Sequence, residues 1–123
     1  MSIERILVVE DDPQVARLIA LVLQRNGYES HVVADGQSAL ESTREQRPSM
    51  IFADLTTKGM GGEALCNAIK SHPETSDIPY IVVSGDRDIA EKARQCGADD
   101  YMVKPFEFDD LVRLVRKYAR AES

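Results

Sequence analysis

Three short stretches of this chain, Ile6-Leu7-Val8-Val9, Met50-Ile51-Phe52-Ala53 and Tyr80-Ile81-Val82-Val83, are unbroken in apolar residues. A strand with one wet face alternates apolar and polar residues, because successive side chains point to opposite sides of the sheet. An unbroken run too short for a buried helix therefore reads as a strand covered on both faces, the pattern of a parallel sheet with helices above and below. Strands are expected at Arg5 to Val9, Tyr28 to Ala34, Met50 to Ala53, Tyr80 to Ser84 and Asp100 to Val103. The second carries Glu29, Ser30 and His31 and reads as an edge.

Between the strands the apolar period changes. Val15, Leu18, Ile19 and Val22 fall at i, i+3, i+4 and i+7, as do Leu111, Leu114, Val115 and Tyr118, which predicts two amphipathic helices. Thinner stripes predict helices near Ser38 to Glu45 and Arg87 to Gln95. Asn26-Gly27 and Gly97 offer left-handed stops, and Asp35 and Asp86 or Asp88 offer N-caps. The last helix opens on Glu107, Asp109 and Asp110 and closes on Arg113, Arg116, Lys117 and Arg120. That order complements the helix dipole, and the basic residues could equally form a docking patch. Repeated strand and helix units too few for a closed barrel imply an open, doubly wound α/β sheet in a single domain spanning residues 1–123.

Composition removes several classes of function. A net charge of -6 argues against binding nucleic acid directly, since that needs Lys and Arg to neutralise phosphates. Cys66 and Cys96 lie in helix-like stretches without metal-ligand or redox spacing and read as small buried hydrophobes. No apolar stretch reaches the length of a membrane span, and Met1-Ser2-Ile3-Glu4-Arg5 leads into a strand rather than a signal peptide, so a cytoplasmic protein without membrane contact is expected.

In an open parallel sheet, ligands bind beyond the carboxyl ends of the strands. Those ends read Glu10-Asp11-Asp12, then Asp54, then Ser84, then Lys104-Pro105. Asp11, Asp12 and Asp54 crowded together would resist full ionisation unless a divalent cation sat among them, and oxygen ligands with room for water suit magnesium. The Asp54 carboxylate could then act as nucleophile towards a phosphoryl group, with Lys104 and the Ser84 hydroxyl neutralising its oxygens.

The motifs Asp11-Asp12, Asp54, Ser84-Gly85, Gly97-Ala98-Asp99-Asp100-Tyr101 and Lys104-Pro105-Phe106, in that order, resemble the response regulator receiver domain of two-component signalling, in a chemotaxis-regulator-like, single-domain form. The resemblance covers Arg5 to Arg120. It implies a (βα)5 flavodoxin-like fold with strand order 2-1-3-4-5 and a phosphoprotein rather than an enzyme. The phosphoryl group would reach Asp54 from a sensor histidine kinase or histidine phosphotransfer protein, with Mg2+ held by Asp12, Asp54, Asp11 through water, and the carbonyl of Thr56. It further implies that Ser84 and Tyr101 form a switch pair and that Thr56 and Asp86 tune rates. Lys104-Pro105 would be a cis peptide. The output surface would run from Arg87 to Arg120, engaging a downstream protein as a monomer or a phosphorylation-dependent dimer.

One stretch departs from the family. Where receivers carry Met-Pro soon after the phosphoacceptor, this chain reads Leu55-Thr56-Thr57-Lys58-Gly59-Met60-Gly61-Gly62. Without the proline and with three glycines the loop is expected to be more mobile, and Lys58 adds a cation, so a changed phosphoryl lifetime is expected.

Plainer readings compete with several of these assignments. Asp12, just before Pro13, could be a helix cap. His31 and His72 stand alone and read as structural or solvated, and the glycines at 59–62 lack the Lys-Ser or Lys-Thr of a phosphate loop. A flavin-binding protein would want a glycine- and hydroxyl-rich loop in place of Glu10-Asp11-Asp12-Pro13, and an aspartyl-phosphate phosphatase would want its acidic residues spaced as Asp-x-Asp. A receiver-like module that binds partners without phosphate remains the principal alternative. With three residues following Arg120, no output domain is expected within the chain, and the longer connection from Ser71 to Pro79 resembles that of stand-alone and hybrid-kinase receivers.

Overall fold

A computed structural model describes residues 4–57 and 59–118. Along the chain lie β1 (Arg5–Val9), α1 (Pro13–Arg25), β2 (Glu29–Val33), α2 (Gly36–Glu45), β3 (Met50–Asp54), α3 (Gly62–Ser71), β4 (Tyr80–Ser84), α4 (Ile89–Cys96), β5 (Asp100–Val103) and α5 (Phe108–Tyr118). The strands form one parallel sheet in the order β2-β1-β3-β4-β5. The flavodoxin-like α/β fold and its strand order are thus as expected.

The three apolar runs occupy β1, β3 and β4, the interior strands. Their alternate residues feed two separate cores. Ile6, Val8, Met50, Phe52, Ile81, Val83 and Met102 pack against Ile19, Val22 and Leu23 of α1 and Leu111, Leu114 and Val115 of α5. Leu7, Val9, Ile51, Ala53, Tyr80 and Val82 pack against Ala39 of α2, Leu65, Cys66 and Ile69 of α3, and Ile89, Ala93 and Cys96 of α4. Side chains such as Leu111 and Leu65 are fully buried, and truncating one to Ala costs about 2–5 kcal/mol. The two outer strands, β2 and β5, are partly exposed, including Val32, Tyr101 and Val103.

Side-chain caps set the starts of α1 and α2. Asp12 accepts hydrogen bonds from the amides of Gln14 (2.9 Å) and Val15 (3.4 Å), opening α1 just before Pro13. Asp35 accepts from the Ser38 amide at 2.8 Å, so α2 starts at Gly36, two residues before the thin stripe suggested. Gly97 closes α4 at φ 86°, and Gly27 follows α1 at φ 89°. The Asp86 or Asp88 expectation is corrected in part: Asp88 occupies the N-cap of α4 without a side-chain capping bond, and Arg87 and Asp88 stay outside the helix. Lys92 gathers these carboxylates instead, at 2.9 Å from Asp86 and 3.7 Å from Asp88. In α5, Arg113 pairs with Asp110 at 2.9 Å and Lys117 lies 3.6 Å from Asp100. Lys58 and Arg120, both named in the sequence reading, lie outside the described residues.

Candidate functional site

Glu10, Asp54 and Lys104 extend the alternating rows Ile6-Val8, Met50-Phe52 and Met102 to the carboxyl rim of the sheet, Asp54 as the last residue of β3 and the other two one residue beyond β1 and β5, on the face covered by α1 and α5. The ladder continues far enough to fix them: the Glu10 amide donates to Val33 O at 3.0 Å and the Lys104 amide to Ser84 O at 2.9 Å. Lys104 reaches across β4 to β3, where its ammonium pairs with Asp54 Oδ2, and it lies 3.2 Å from Glu10 Oε1. Both carboxylates are buried, at 5% exposure for Glu10 and 4% for Asp54, while the lysine side chain is 28% exposed. The Lys104-Pro105 peptide is cis, as the resemblance implied.

The other Asp54 oxygen is also engaged. Oδ1 accepts from the Thr56 amide (2.9 Å) and the Thr56 hydroxyl (2.8 Å). Glu10 Oε2 accepts from the Asp12 amide at 3.2 Å. These bonds separate the two acids electrostatically. Burial pushes the Asp54 carboxyl up, but Lys104 and the two Thr56 donors outweigh it and hold the group below its ordinary value. At Glu10, burial wins over the Asp12 amide and Lys104, and the carboxyl sits above its ordinary value. Burial alone would lower Lys104, yet Asp54 and Glu10 keep its ammonium above the usual lysine range. The result is an ionised, hydrogen-bonded carboxylate facing solvent through a lysine.

The structure brings Asp54, Lys104 and Thr56 into direct contact, whereas Asp11 and Asp12, expected beside them, stand in solvent. Asp11 and Asp12 are exposed, and Asp12 spends Oδ1 on the amides of α1. The acid that shares Lys104 with Asp54 is Glu10, which the sequence reading placed at the strand end without giving it a role. Its signal was available, since Glu10 continues the inward row Ile6-Val8 and Asp12 precedes a proline that starts a helix. Among the described residues no group of three or more acidic, His or Cys side chains is gathered to hold a metal ion. The donor chemistry nevertheless fits a hard divalent cation: Glu10, Asp11, Asp54 and the Thr56 carbonyl all offer oxygen donors at or just beyond strand ends, with Asp11 in solvent. A cation there would share Asp54 with Lys104.

Ser84 and Tyr101 lie on the opposite face, in the rows of Val82 and Val103, with Val82 paired to Tyr101 and Ser84 to Val103. Ser84 is buried and its hydroxyl accepts from the Asp86 amide at 3.0 Å, whereas Tyr101 is 39% exposed. The pairing of Asp86 with Lys92 holds the Asp86 carboxyl below its ordinary value.

The described residues of the loop after Asp54 make several contacts with the rest of the fold. Thr57 is buried, and Met60 packs against the core beneath α2 and α3. Met60 O accepts from the Gly36 amide at 3.2 Å and lies 3.4 Å from the Thr57 hydroxyl. A Cβ at Gly62 would stand 2.7 Å from Asp54 O, so that glycine permits close approach of backbone to backbone rather than motion.

A family model described as the response regulator receiver domain matches residues 6–116. The chain belongs to that family. Among curated proteins, the DNA-binding response regulator MtrA of Mycolicibacterium smegmatis is 36% identical over 119 residues, covering 95% of this chain and 51% of that protein. The receiver thus spans about half the length of the curated relatives it matches. Among solved structures, the receiver domain of a signal transduction histidine kinase from Syntrophus aciditrophicus is 32% identical with a TM-score of 0.89, covering 98% of this chain and 96% of that one. The receiver domain of a sensor histidine kinase from Pseudomonas aeruginosa, 28% identical with a TM-score of 0.88 over 96% and 98% of the two chains, carries a magnesium ion in its active-site cleft. Among the described residues no helix is long and apolar enough to cross a membrane.

Proposed function

We propose that this receiver accepts a phosphoryl group on Asp54 from a phosphohistidine of a sensor histidine kinase or histidine phosphotransfer protein, in the cytoplasm. The observation that carries the reading is the buried Asp54 carboxylate, kept ionised by Lys104 and Thr56 at the rim of the sheet. An Asp54 oxygen attacks phosphorus, the phosphorus–nitrogen bond breaks with its electron pair going to the imidazole, and an acyl phosphate forms. Lys104 follows the new negative charge from carboxylate to phosphoryl oxygen, so the site stays neutralised without rebuilding. Hydrolysis reverses the loading: water attacks phosphorus and the Asp54 carboxylate leaves. Thr56 and Asp86 flank this path and tune its rate.

Magnesium would be held by Asp54, Asp11, the Thr56 carbonyl and Glu10, and would supply charge neutralisation to the phosphoryl oxygens. Asp12, assigned by the resemblance as a direct ligand, is better used as the cap of α1. Ser84 gives up the Asp86 amide to bond the phosphoryl group, Tyr101 moves from its exposed position behind it, and the surface of α4, β5 and α5 changes for a downstream protein. The protein is then a signalling domain, monomeric or dimerising on phosphorylation, that assists its own loading and unloading.

Intact mass after incubation with magnesium and acetyl phosphate tests this. One added phosphoryl group, lost in Asp54→Ala and without magnesium, is the expected result. No gain under conditions that load an ordinary receiver would favour a phosphate-independent binding module.

A further inference from the structure

The first turn of α2 touches the loop that carries Thr56, and it does so with no space to spare. The Gly36 amide donates to Met60 O at 3.2 Å, and a Cβ built on Gly36 would lie 2.3 Å from that oxygen and 2.9 Å from Met60 Cβ and Cγ. The nearest obstruction is backbone, which cannot swing aside as a side-chain tip can. The same carbonyl lies 3.4 Å from the Thr57 hydroxyl. The Gly62 amide donates to Leu55 O at 3.4 Å, which joins the two flanks of the loop, and the contact with Gly36 lies two residues before Gly62. Thr56, whose amide and hydroxyl both bond the Asp54 oxygen Oδ1, sits just outside this pin.

We infer that Gly36 is a positioning residue for the chemistry at Asp54: by admitting Met60 O to the α2 amide, it fixes the loop that aims Thr56 at the acceptor. The inference rests on the phosphoacceptor reading for its consequence and on the loop contacts for its mechanism. The Thr57 hydroxyl takes part in the pin, in a stretch where the proline usual to the family is missing. α2 has no residue in the site itself, so its influence would be entirely through this contact.

The test compares Gly36→Ala with Gly27→Ala. Gly27, at φ 89° with nothing within 4 Å of an added Cβ, is strained by the same substitution but is remote from the loop, so it controls for lost stability. Both proteins are assayed at a temperature where they are fully folded. In Gly36→Ala, amide hydrogen exchange at Thr56 should speed up several-fold, acetyl phosphate loading should slow several-fold, and the magnesium concentration for half-maximal loading should rise. In Gly27→Ala all three should match the wild type. Thr57→Val should shift the same readouts in the same direction by less, and Thr57→Ser should restore them, which keeps the inference open to refutation if Gly36→Ala does not fold. Unchanged Thr56 exchange in Gly36→Ala, or in Thr57→Val where the former does not fold, overturns the pin whatever the loading rates do. Faster Thr56 exchange with unchanged loading overturns the positioning role. A wild type that takes up no phosphoryl group would overturn both the acceptor reading and that role, with Thr56 exchange still reporting the pin separately.

Discussion

Two lysines gather acceptors at opposite ends of this sheet, and they are partnered differently. At the amino ends of β4 and β5, Lys70 donates to Ser76 O (2.9 Å), Ile78 O (2.8 Å) and Asp99 Oδ2 (2.7 Å), and Asp99 in turn accepts from the Tyr80 amide at 2.8 Å. Three donors meet three acceptors, and only one of those carries charge. At the carboxyl ends, Lys104 faces two buried carboxylates, and burial holds Glu10 above its ordinary value despite the Asp12 amide and the shared ammonium. A lysine that serves the fold is balanced. The lysine at the rim is left outnumbered, and that surplus of negative charge is what a cation would relieve.

The largest effects should come from removing each lysine. Lys104→Met leaves Glu10 and Asp54 buried together without a counter-charge, and should cost about 2–4 kcal/mol in urea unfolding at neutral pH. It should also slow acetyl phosphate loading on the order of 100-fold, the scale of losing one preorganised charge donor. Lys70→Met should destabilise by about 1–3 kcal/mol through its orphaned acceptors while leaving loading unchanged. Equal loading defects in the two variants would erase the distinction.

The pH response sharpens the contrast. In the wild type, Asp54 lies below its unfolded value, so its contribution to stability is full above that value and fades as pH falls through the lower folded one. In Lys104→Met both carboxyls should instead lie above their unfolded values. Stability should then be fullest below those values and decline as pH rises through the raised folded ones. Urea midpoints of that variant should therefore increase from pH 7 to pH 5, and a midpoint that falls over this interval would contradict the imbalance.

Smaller effects separate Glu10 from Asp12. Glu10→Gln removes the surplus charge, so it should hold or raise stability while raising the magnesium needed for loading about tenfold. Asp12→Ala should lower stability by about 1 kcal/mol through its lost cap and leave the magnesium requirement near that of the wild type. The reverse pattern would return Asp12 to the metal site.

Much of this was legible in the chain because it depends on local period. Unbroken apolar runs identified β1, β3 and β4 as interior, and Asp54 and Lys104 followed from where those runs and β5 end. Glu10 and Asp12 were harder to separate because a strand end and a helix cap ask for the same residue type within two positions. Only the alternation of Ile6, Val8 and Glu10 distinguishes them. The starts of α2 and α4 each slipped by two residues; a cap and not the stripe decides α2, where Asp35 bonds the Ser38 amide. The pin between Gly36 and Met60 had no sequence signal, because it joins two segments that meet only after the sheet has formed. Glycine count suggested slack there, whereas Gly36 and Gly62 mark places where backbones touch.

The sheet also works as a partition. Asp54 and Lys104 belong to the compartment of α1 and α5, and Ser84 and Tyr101 to that of α3 and α4, with side chains of the interior strands filling each side independently. A substitution deep in one compartment has no direct route to the other, and paired substitutions across the wall should add in their effects on stability. At the carboxyl rim the wall ends, and side chains from both rooms open onto the same water. An event at Asp54 is therefore audible on the α4 side only over that threshold, so the few residues at the strand ends carry the traffic between two otherwise sealed halves.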